Sequence, residues 1–252
     1  ILDQSGTSVS GAGDVNGDGL ADLIIGADGA DSSGVMTAGE SYVVFGKAGG
    51  SPVDLASLGT GGFRIEGIDL HDQSGRSVSG AGDINGDGLA DLIVGAPNAD
   101  PGDDDYAGES YVVFGRTGNA TVNLGNLGTG GFRIEGNNES DQSGRSVSGA
   151  GDVNGDGLDD LVLGAPFASP GGSNAAGETY VAFGKTDNAN VDLGNLGSGG
   201  FRIDGINAND WSGWSVSGAG DVNGDGLGDL IVGASAADTR GNSESGESYV
   251  IF

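Results

Sequence analysis

Short apolar runs alternate with polar and glycine-rich segments along the whole chain. Representative runs are Asp91-Leu-Ile-Val-Gly-Ala-Pro97, Glu109-Ser-Tyr-Val-Val-Phe-Gly115 and Phe132-Arg-Ile-Glu-Gly136. Each apolar stretch spans about five residues, is rich in Val, Ile, Tyr and Phe, and ends at Gly, Asn, Asp or Pro, which is typical of β-strands. No apolar pattern with the helical period occurs. The sequence therefore predicts an all-β protein.

The predicted strands belong to a unit that repeats along the chain. An acidic motif of one type begins at Asp14, Asp83, Asp152 and Asp221, so successive copies lie 69 residues apart without an insertion. Such regular spacing indicates a modular array. We divide the chain, a single repeat domain of residues 1–252, into repeats 1–62, 63–131, 132–200 and 201–252. On this division the first repeat lacks a preceding Phe-Arg-Ile strand, and the fourth ends after its third strand.

Each period holds four predicted strands, and the first of them consists of small residues, as in Arg76-Ser-Val-Ser-Gly-Ala-Gly82. A propeller blade also has four strands, and its innermost strand crowds a central axis. The pattern predicts a β-propeller of four blades of antiparallel strands, with a β-solenoid as the alternative. Because an unclosed ring leaves exposed sheet edges, three arrangements stay open: a four-bladed ring, part of a longer array, or blades from several chains.

Four segments recur in a fixed order: Phe-Arg-Ile-Glu-Gly, Ser-Val-Ser-Gly-Ala-Gly-Asp, Asp-Leu-Ile-Val-Gly-Ala-Pro and Ser-Tyr-Val-Val-Phe-Gly. The Gly-Ala-Pro element stands at Gly95–Pro97 and Gly164–Pro166, whereas the first and last copies read Gly26-Ala27-Asp28 and Gly233-Ala234-Ser235. This order resembles the FG-GAP repeats of integrin α-subunit propellers over essentially the whole chain. The resemblance implies an adhesion module. Integrin propellers have seven blades, whereas this chain supplies four acidic loops.

The acidic loops have the form Asp-x-Asn-x-Asp-Gly-Leu-x-Asp. Side-chain oxygens fall at loop positions 1, 3, 5 and 9, and the Leu at position 7 offers a backbone carbonyl, which together form a ligand set for a hard cation. Glycine at position 6 permits the sharp turn that such a short loop needs. We therefore expect Ca²⁺ as cofactor, at one site per repeat. The predicted ligands are Asp14, Asn16, Asp18, Leu20 and Asp22; Asp83, Asn85, Asp87, Leu89 and Asp91; Asp152, Asn154, Asp156, Leu158 and Asp160; and Asp221, Asn223, Asp225, Leu227 and Asp229.

The loops have two other interpretations, an EF-hand and a metal-free turn. They differ from EF-hands because position 12, where a bidentate Glu belongs, is apolar, and because strands flank them; the four residues are Ile25, Val94, Leu163 and Val232. Acidic Asn-Gly and Asp-Gly turns also occur without metal. Three aspartates within one short loop would repel one another without a cation, however, which favours calcium. Mg²⁺ demands a stricter octahedron, and Zn²⁺ would need His or Cys.

Charge and composition limit the partners. The chain has 37 Asp and Glu against 9 Lys and Arg, a formal net charge of −28. Such a chain repels nucleic acids and anionic bilayers, so we expect no nucleic-acid partner. No run approaches the ~20 apolar residues that cross a membrane, so we expect no membrane insertion by this segment. With no Cys, disulfides and a cysteine nucleophile are excluded.

Three further features have structural or binding interpretations. The recurring Arg of the Phe-Arg-Ile strands and the Glu of the Gly-Glu-Ser/Thr-Tyr strands predict an ion pair between strands of each blade. Trp211 and Trp214 replace the Gln and Arg of other repeats, and they either pack at a terminal blade or offer a surface for a sugar or protein. His71, the only histidine, is expected in a loop, so no His-based catalytic triad can form within one chain.

These observations predict a non-enzymatic, calcium-binding extracellular or cell-surface module for adhesion, ligand binding or surface structure. Its expected partners are calcium and a protein, a glycan or further copies of itself. One alternative is a subunit that assembles into an extracellular fibre or surface layer. The other is a secreted hydrolase, or its accessory propeller. Partner binding is expected at the variable loops 28–38, 98–107, 167–176 and 235–245, or on the side that carries Trp211 and Trp214.

Overall fold

The computed structural model describes residues 3–102, 104–238 and 245–252. Over these residues the chain forms four β-sheets, one for each acidic motif, together with four short 3-10 turns. The turns lie at Leu55–Ser57, Leu124–Asn126, Pro170–Gly172 and Leu193–Asn195. The all-β prediction is confirmed.

Each sheet is an antiparallel meander whose main strands are neighbours in chain order. The first contains β1 (Ser8–Gly13), β2 (Asp22–Ala27), β3 (Glu40–Val44) and β4 (Gly62–Glu66). The second contains β5 (Ser77–Gly82), β6 (Asp91–Ala96), β7 (Glu109–Val113) and β9 (Gly131–Glu135). Strand β8 (Val122–Asn123), although it lies between β7 and β9 in the chain, belongs to the first sheet, where it pairs in parallel with β4. The third contains β10 (Ser146–Gly151), β11 (Asp160–Ala165), β12 (Glu178–Ala182) and β14 (Gly200–Asp204), and β13 (Val191–Asp192) pairs in parallel with β9. The fourth, within the described ranges, contains β15 (Ser212–Gly220), β16 (Asp229–Ala234) and β17 (Glu247–Ile251).

The Phe-Arg-Ile strands are the outer strands of the sheets that precede them along the chain. Strand β4 pairs with β3, which places Phe63 opposite Val43 and Arg64 opposite Tyr42. Phe63 and Ile65 are buried in the core beside β3. The repeat boundary at residue 63 therefore cuts through a sheet. The first sheet has its own outer strand, and the sheet with three described strands is the fourth.

The sheets pack face to face, and alternate residues of a strand contact different neighbours. In β6, Leu92 packs into the core shared with the first sheet, whereas Ile93 packs into the core shared with the third. Both side chains are 0% exposed. Because the inner sheets are covered on both faces, their strands are continuously apolar instead of alternating with polar residues. Separate antiparallel units of this kind favour blades over the rungs of a solenoid.

The first and fourth sheets each have one outward apolar face. Leu23 in β2 corresponds to Leu92 but is 53% exposed, and Ile231 in β16 corresponds to Ile93 but is 39% exposed. The residues that bury these positions in the inner sheets come from a neighbouring sheet. Within the described residues, such a neighbour is present on only one side of each terminal sheet.

Glycines allow the first strands of neighbouring sheets to lie very close together. A Cβ on Gly80 would stand 2.7 Å from the Gly11 carbonyl oxygen, and a Cβ on Gly218 would stand 2.6 Å from that of Gly149. These separations are shorter than real Cβ contacts, so a side chain there would displace backbone. The small residues of the first predicted strand are therefore required by the contact between sheets.

We predict that Gly149→Ala destabilises the protein by about 1–3 kcal/mol, because its Cβ would meet the Gly80 carbonyl oxygen at 2.9 Å. Gly11 occupies the same place in β1, where a Cβ would have no atom within 4 Å. Gly11→Ala is therefore the matched control and should change stability by less than about 0.5 kcal/mol. Urea unfolding at constant calcium measures both variants. Equal changes would show that the first strands are not closely packed.

Candidate metal centre

The four acidic loops join the first strand of each sheet to the second. Each loop follows a β-bulge at which the ladder register shifts, as between Gly11 and Gly13 in β1. The bulge glycines have φ between 70° and 78°, in the left-handed region, and are Gly13, Gly82, Gly151 and Gly220. Glycine adopts this conformation without steric cost, so the bulge sets the direction in which the loop leaves the strand.

The first aspartate of each loop is the acceptor around which the loop folds. In the first loop, Asp14 Oδ1 accepts from the N–H groups of Gly17 at 2.8 Å and Asp18 at 3.0 Å, and its Oδ2 accepts from the Gly19 N–H at 2.8 Å. The same three bonds recur in the other loops, at Asp83, Asp152 and Asp221. One carboxylate thus orients three backbone N–H groups.

Positions 3 and 5 continue this pattern. Asn16 Oδ1 accepts from the Asp18 N–H at 2.8 Å, and Asp18 Oδ1 accepts from the Leu20 N–H at 2.9 Å. The Asn16 amide also donates to Asp18 Oδ2 at 3.1 Å. Glycine at position 6 has a positive φ in every loop, at Gly19, Gly88, Gly157 and Gly226, as the sequence predicts.

The aspartate at position 9 is buried and anchors the loop to the sheet. Asp22 accepts from the N–H of Val15 at 2.9 Å and from that of Gly46 at 2.7 Å. Burial raises its pKa, those two N–H groups lower it, and the nearby charges of Asp18 and Asp14 raise it further. The same influences act on Asp91, where burial is the largest, and together they raise its pKa to about 7. The acidic side chains of one loop therefore act on one another electrostatically.

Each loop brings part of the predicted ligand set together. Positions 1, 3 and 5 are joined by hydrogen bonds, and in the fourth loop Asn223 Nδ2 also donates to Asp229 Oδ1 at position 9, at 3.4 Å. In the described part of the chain, no three His, Cys, Asp or Glu side chains form a metal-binding group. The predicted set is wider, since it includes Asn and a backbone carbonyl. All its donors are hard oxygens, and such a set fits Ca²⁺.

Neighbouring loops form a continuous row along one edge of the sheets. The position 8 N–H of one loop donates to the carbonyl of the first residue of the preceding loop, as from Ala90 to Asp14 at 3.1 Å and from Gly228 to Asp152 at 2.8 Å. The variable loops follow the ends of the second strands, so they lie at the opposite edge, about 20 Å away for six strand residues. The acidic loops and the variable loops thus lie at opposite edges of the sheets.

Ion pairs join the third and fourth strands of the first three sheets, which confirms the sequence prediction there. Arg64 Nη1 lies 3.3 Å from Glu40 Oε1, and the pairs Arg133–Glu109 and Arg202–Glu178 are both 3.1 Å long. Each of these buried glutamates also accepts from a tyrosine hydroxyl of its own strand. In the fourth sheet, no arginine among the described residues pairs with Glu247, because the three described strands do not include a Phe-Arg-Ile strand.

Trp211 and Trp214 form an aromatic cluster at the junction of the third and fourth sheets. Their rings stack with centroids 5.3 Å apart, and Phe167 meets them edge to face at 5.9 and 6.1 Å. The Arg145 guanidinium lies 4.5 Å above the Trp214 ring centroid. This packing supports the structural interpretation, in which the two tryptophans pack at the terminal blade. His71, the other singled-out residue, lies in an exposed turn as expected.

Two site residues were not recognised from the sequence. Phe167 replaces the small or polar residue found in the other repeats and supplies the third ring of the cluster. Asp159, at position 8 of the third loop, accepts from the Asp83 N–H of the second loop at 2.7 Å. The available signal was the same in both cases: each residue breaks the repeat at one position.

Buried aspartates that precede the first strands differ in their neighbours. Asn138 donates to Asp141 at 3.0 Å, and Asn207 donates to Asp210 at 3.1 Å. In the second repeat the amide is replaced by Asp69. Burial, followed by the charge of Asp69, raises the pKa of Asp72 to about 7. A repulsive pair therefore stands where the third and fourth repeats have a hydrogen bond.

Comparison with known proteins gives consistent matches. A family model described as FG-GAP repeat matches residues 5–44, 74–113, 143–181 and 212–251, and each match contains one acidic loop. Phosphatidylinositol-glycan-specific phospholipase D of Homo sapiens is 33% identical over 208 residues, which cover 81% of this chain and 24% of that protein. Integrin alpha-V of Gallus gallus is 30% identical over 231 residues, which cover 90% of this chain and 20% of that protein. The chain thus spans less than a quarter of the length of these curated relatives.

The same phospholipase from Mus musculus is 31% identical over 206 residues, covering 81% of this chain and 23% of that protein. None of the helices among the described residues has the length and hydrophobicity that a membrane span requires.

We predict that Asp69→Asn stabilises the protein by about 1 kcal/mol near pH 8, because an amide donor would replace a repulsive charge. The folded-state pKa of Asp72 lies above its ordinary value of 3.8, so its contribution to stability is present at low pH and is lost as the pH rises towards about 7. The variant should therefore differ little from the parent near pH 4. Urea unfolding across this range measures the difference, and a gain that is independent of pH would contradict the assignment.

Proposed function

The chain belongs to the FG-GAP repeat family, and from this we propose that it is a non-enzymatic, calcium-binding repeat module of an extracellular or cell-surface protein. Its four sheets are proposed to be consecutive blades of a β-propeller. Its proposed role is adhesion, ligand binding or surface structure. The main support for calcium binding is that all four acidic loops are complete and share the same hydrogen bonds around their first aspartate.

Calcium is the proposed cation because of the donor set. Each loop offers four oxygen-bearing side chains and one Leu carbonyl, and Ca²⁺ takes six to eight oxygen ligands, with water completing the shell. In the first loop, Asp14, Asn16, Asp18 and Asp22 would hold the ion with the Leu20 carbonyl. Bound Ca²⁺ would supply the positive charge that offsets the carboxylates. The protein's own part is to orient these oxygens through the backbone N–H groups.

The propeller proposal is supported by how the sheets are arranged. Glycine-rich first strands of successive sheets lie side by side, as at an axis, and the outer strands lie away from it. The residues equivalent to Leu23 and Ile231 are covered in the inner sheets by a neighbouring sheet. The outward faces of the two terminal sheets are thus chemically suited to a further blade.

Partner binding is proposed at the edge that carries the variable loops. These loops also bond to the following repeat, as from the His71 N–H to the Met36 carbonyl at 3.2 Å and from the Asn209 N–H to the Asn174 carbonyl at 2.8 Å. The edge would therefore be a connected surface that a protein or glycan could contact. Residues 103 and 239–244 of these loops lie outside the described residues. Self-association into a fibre stays a prediction.

A second candidate is the accessory repeat region of a hydrolase. It is favoured by the similarity to phosphatidylinositol-glycan-specific phospholipase D, of which the matched region covers only 24% in the human protein. On this proposal the catalytic groups belong to the remainder of such an enzyme. The chain alone should release no product from a phosphatidylinositol-glycan substrate in the presence of calcium. Product formation would overturn the non-enzymatic assignment.

We predict that Ca²⁺ raises the melting temperature of chelator-treated protein more than Mg²⁺ at the same concentration. A site that binds only the folded state contributes about 2.7 kcal/mol when free calcium exceeds its Kd 100-fold. Asp156→Asn removes one charge from the third loop but keeps an oxygen that can accept from the Leu158 N–H. It should reduce the calcium-dependent rise and leave the melting temperature in chelator nearly unchanged.

Glu139→Gln is the control for this experiment, since it removes an exposed carboxylate outside the loops. Its calcium-dependent rise should equal that of the parent protein. Differential scanning calorimetry measures all three proteins. If calcium does not change the melting temperature of the parent, the loops are metal-free acidic turns.

A further inference from the structure

One of the four loops is in contact with an additional carboxylate. Position 8 is Ala21, Ala90 and Gly228 in three loops but Asp159 in the third. Its side chain reaches the preceding loop, where Oδ2 accepts from the Asp83 N–H at 2.7 Å. The bond joins residues 76 positions apart, and it has no counterpart at the other two junctions because Ala and Gly have no side-chain acceptor.

Asp159 forms hydrogen bonds with both the N–H and the carbonyl of Asp83. Its own N–H donates to the Asp83 carbonyl at 3.2 Å, a bond that the other junctions share, and its carboxylate adds the bond to the Asp83 N–H. The carboxylate also lies against the bulge glycine, since a Cβ on Gly82 would stand 2.1 Å from Asp159 Oδ2. The peptide groups on both sides of Asp83 are therefore fixed.

Asp83 is the residue on which the second loop is built. Its carboxylate accepts from the N–H groups of Gly86, Asp87 and Gly88 at 2.8–3.0 Å. Outer partners of this kind orient metal ligands, and their removal typically weakens metal binding by about 10–100-fold. The extra negative charge would also attract a cation to this loop.

The charge of Asp159 is not neutralised by the nearby lysine. Lys185 donates its backbone N–H to the Ile84 carbonyl of the second loop, but its ammonium pairs with Asp187 at 2.9 Å and lies 4.4 Å from the Phe132 ring centroid. Among the described residues no cation forms an ion pair with Asp159. The negative charge of Asp159 can therefore act on a cation in the second loop.

We propose that Asp159 is a positioning residue that gives the second loop a higher calcium affinity than the other three loops. This inference rests on the proposed calcium-binding function. The third repeat thereby sets the affinity of the site in the second repeat. Four loops of nearly identical sequence would then be filled at different calcium concentrations, with the second loop first.

The test is a calcium-binding isotherm, measured by competition with a chromophoric chelator, for the parent protein and three variants. Asp159→Ala introduces alanine, the residue that stands at position 8 of the second loop, and it should weaken calcium binding at one site about tenfold. Asp159→Asn keeps an oxygen for the Asp83 N–H without the charge and should weaken it less. Ala90→Asp places a carboxylate beside Asp14 across the equivalent junction and should strengthen one site.

The site is assigned by combining Asp159→Ala with Asp87→Asn, which disables the second loop. The isotherm of the double variant should equal that of Asp87→Asn alone. Melting temperature in chelator is the second readout, because a purely structural role of Asp159 would lower it without changing the isotherm. That pattern, or four unchanged affinities in Asp159→Ala, would overturn the inference and leave calcium binding intact. A parent protein that binds no calcium would refute the proposed function itself, and the inference with it.

Discussion

Close contact between glycine-rich first strands is the constraint on which the rest of the structure depends. Because Gly80 and Gly149 stand against backbone of the preceding sheet, successive sheets approach along their first strands and stack their apolar faces. The bulge that ends each first strand then directs an acidic loop to the same edge of every sheet. The row of loops, and the bonds between neighbouring loops, follow from this packing.

The same arrangement concentrates negative charge. The chain has a formal net charge of −28, and each loop holds at least three aspartates, of which the one at position 9 is buried. Backbone N–H groups stabilise these carboxylates, but N–H dipoles do not cancel net charge. A divalent cation in each loop would offset two of these negative charges, and it would tie the first strand to the second. On this account folding and calcium binding are coupled, because the position 9 aspartate is anchored to a distant backbone N–H, as Asp22 is to Gly46, only in the folded protein.

Much of this organisation could be predicted from the sequence, because its signals are local. Strand positions, the turn glycines of the loops and the Arg64–Glu40 type of ion pair all follow from short motifs that recur. The sheet to which the Phe63 strand belongs could not be predicted, because a periodic sequence can be divided at any point. Only the hydrogen bonds between this strand and β3 fix the sheet. Asp159 and Phe167 were missed because their partners are distant along the chain, at Asp83 and at the two tryptophans. Contacts of this range depend on how the sheets stack, which no local pattern specifies.

The most direct test of the central claim is a count of bound calcium ions. Native mass spectrometry of the chain after equilibration with millimolar calcium would resolve each bound ion as a separate mass increment. The account predicts a main species with four calcium ions, and with one ion fewer when a single loop is disabled. A metal-free main species, or a broad distribution that does not change when a loop is disabled, would contradict it.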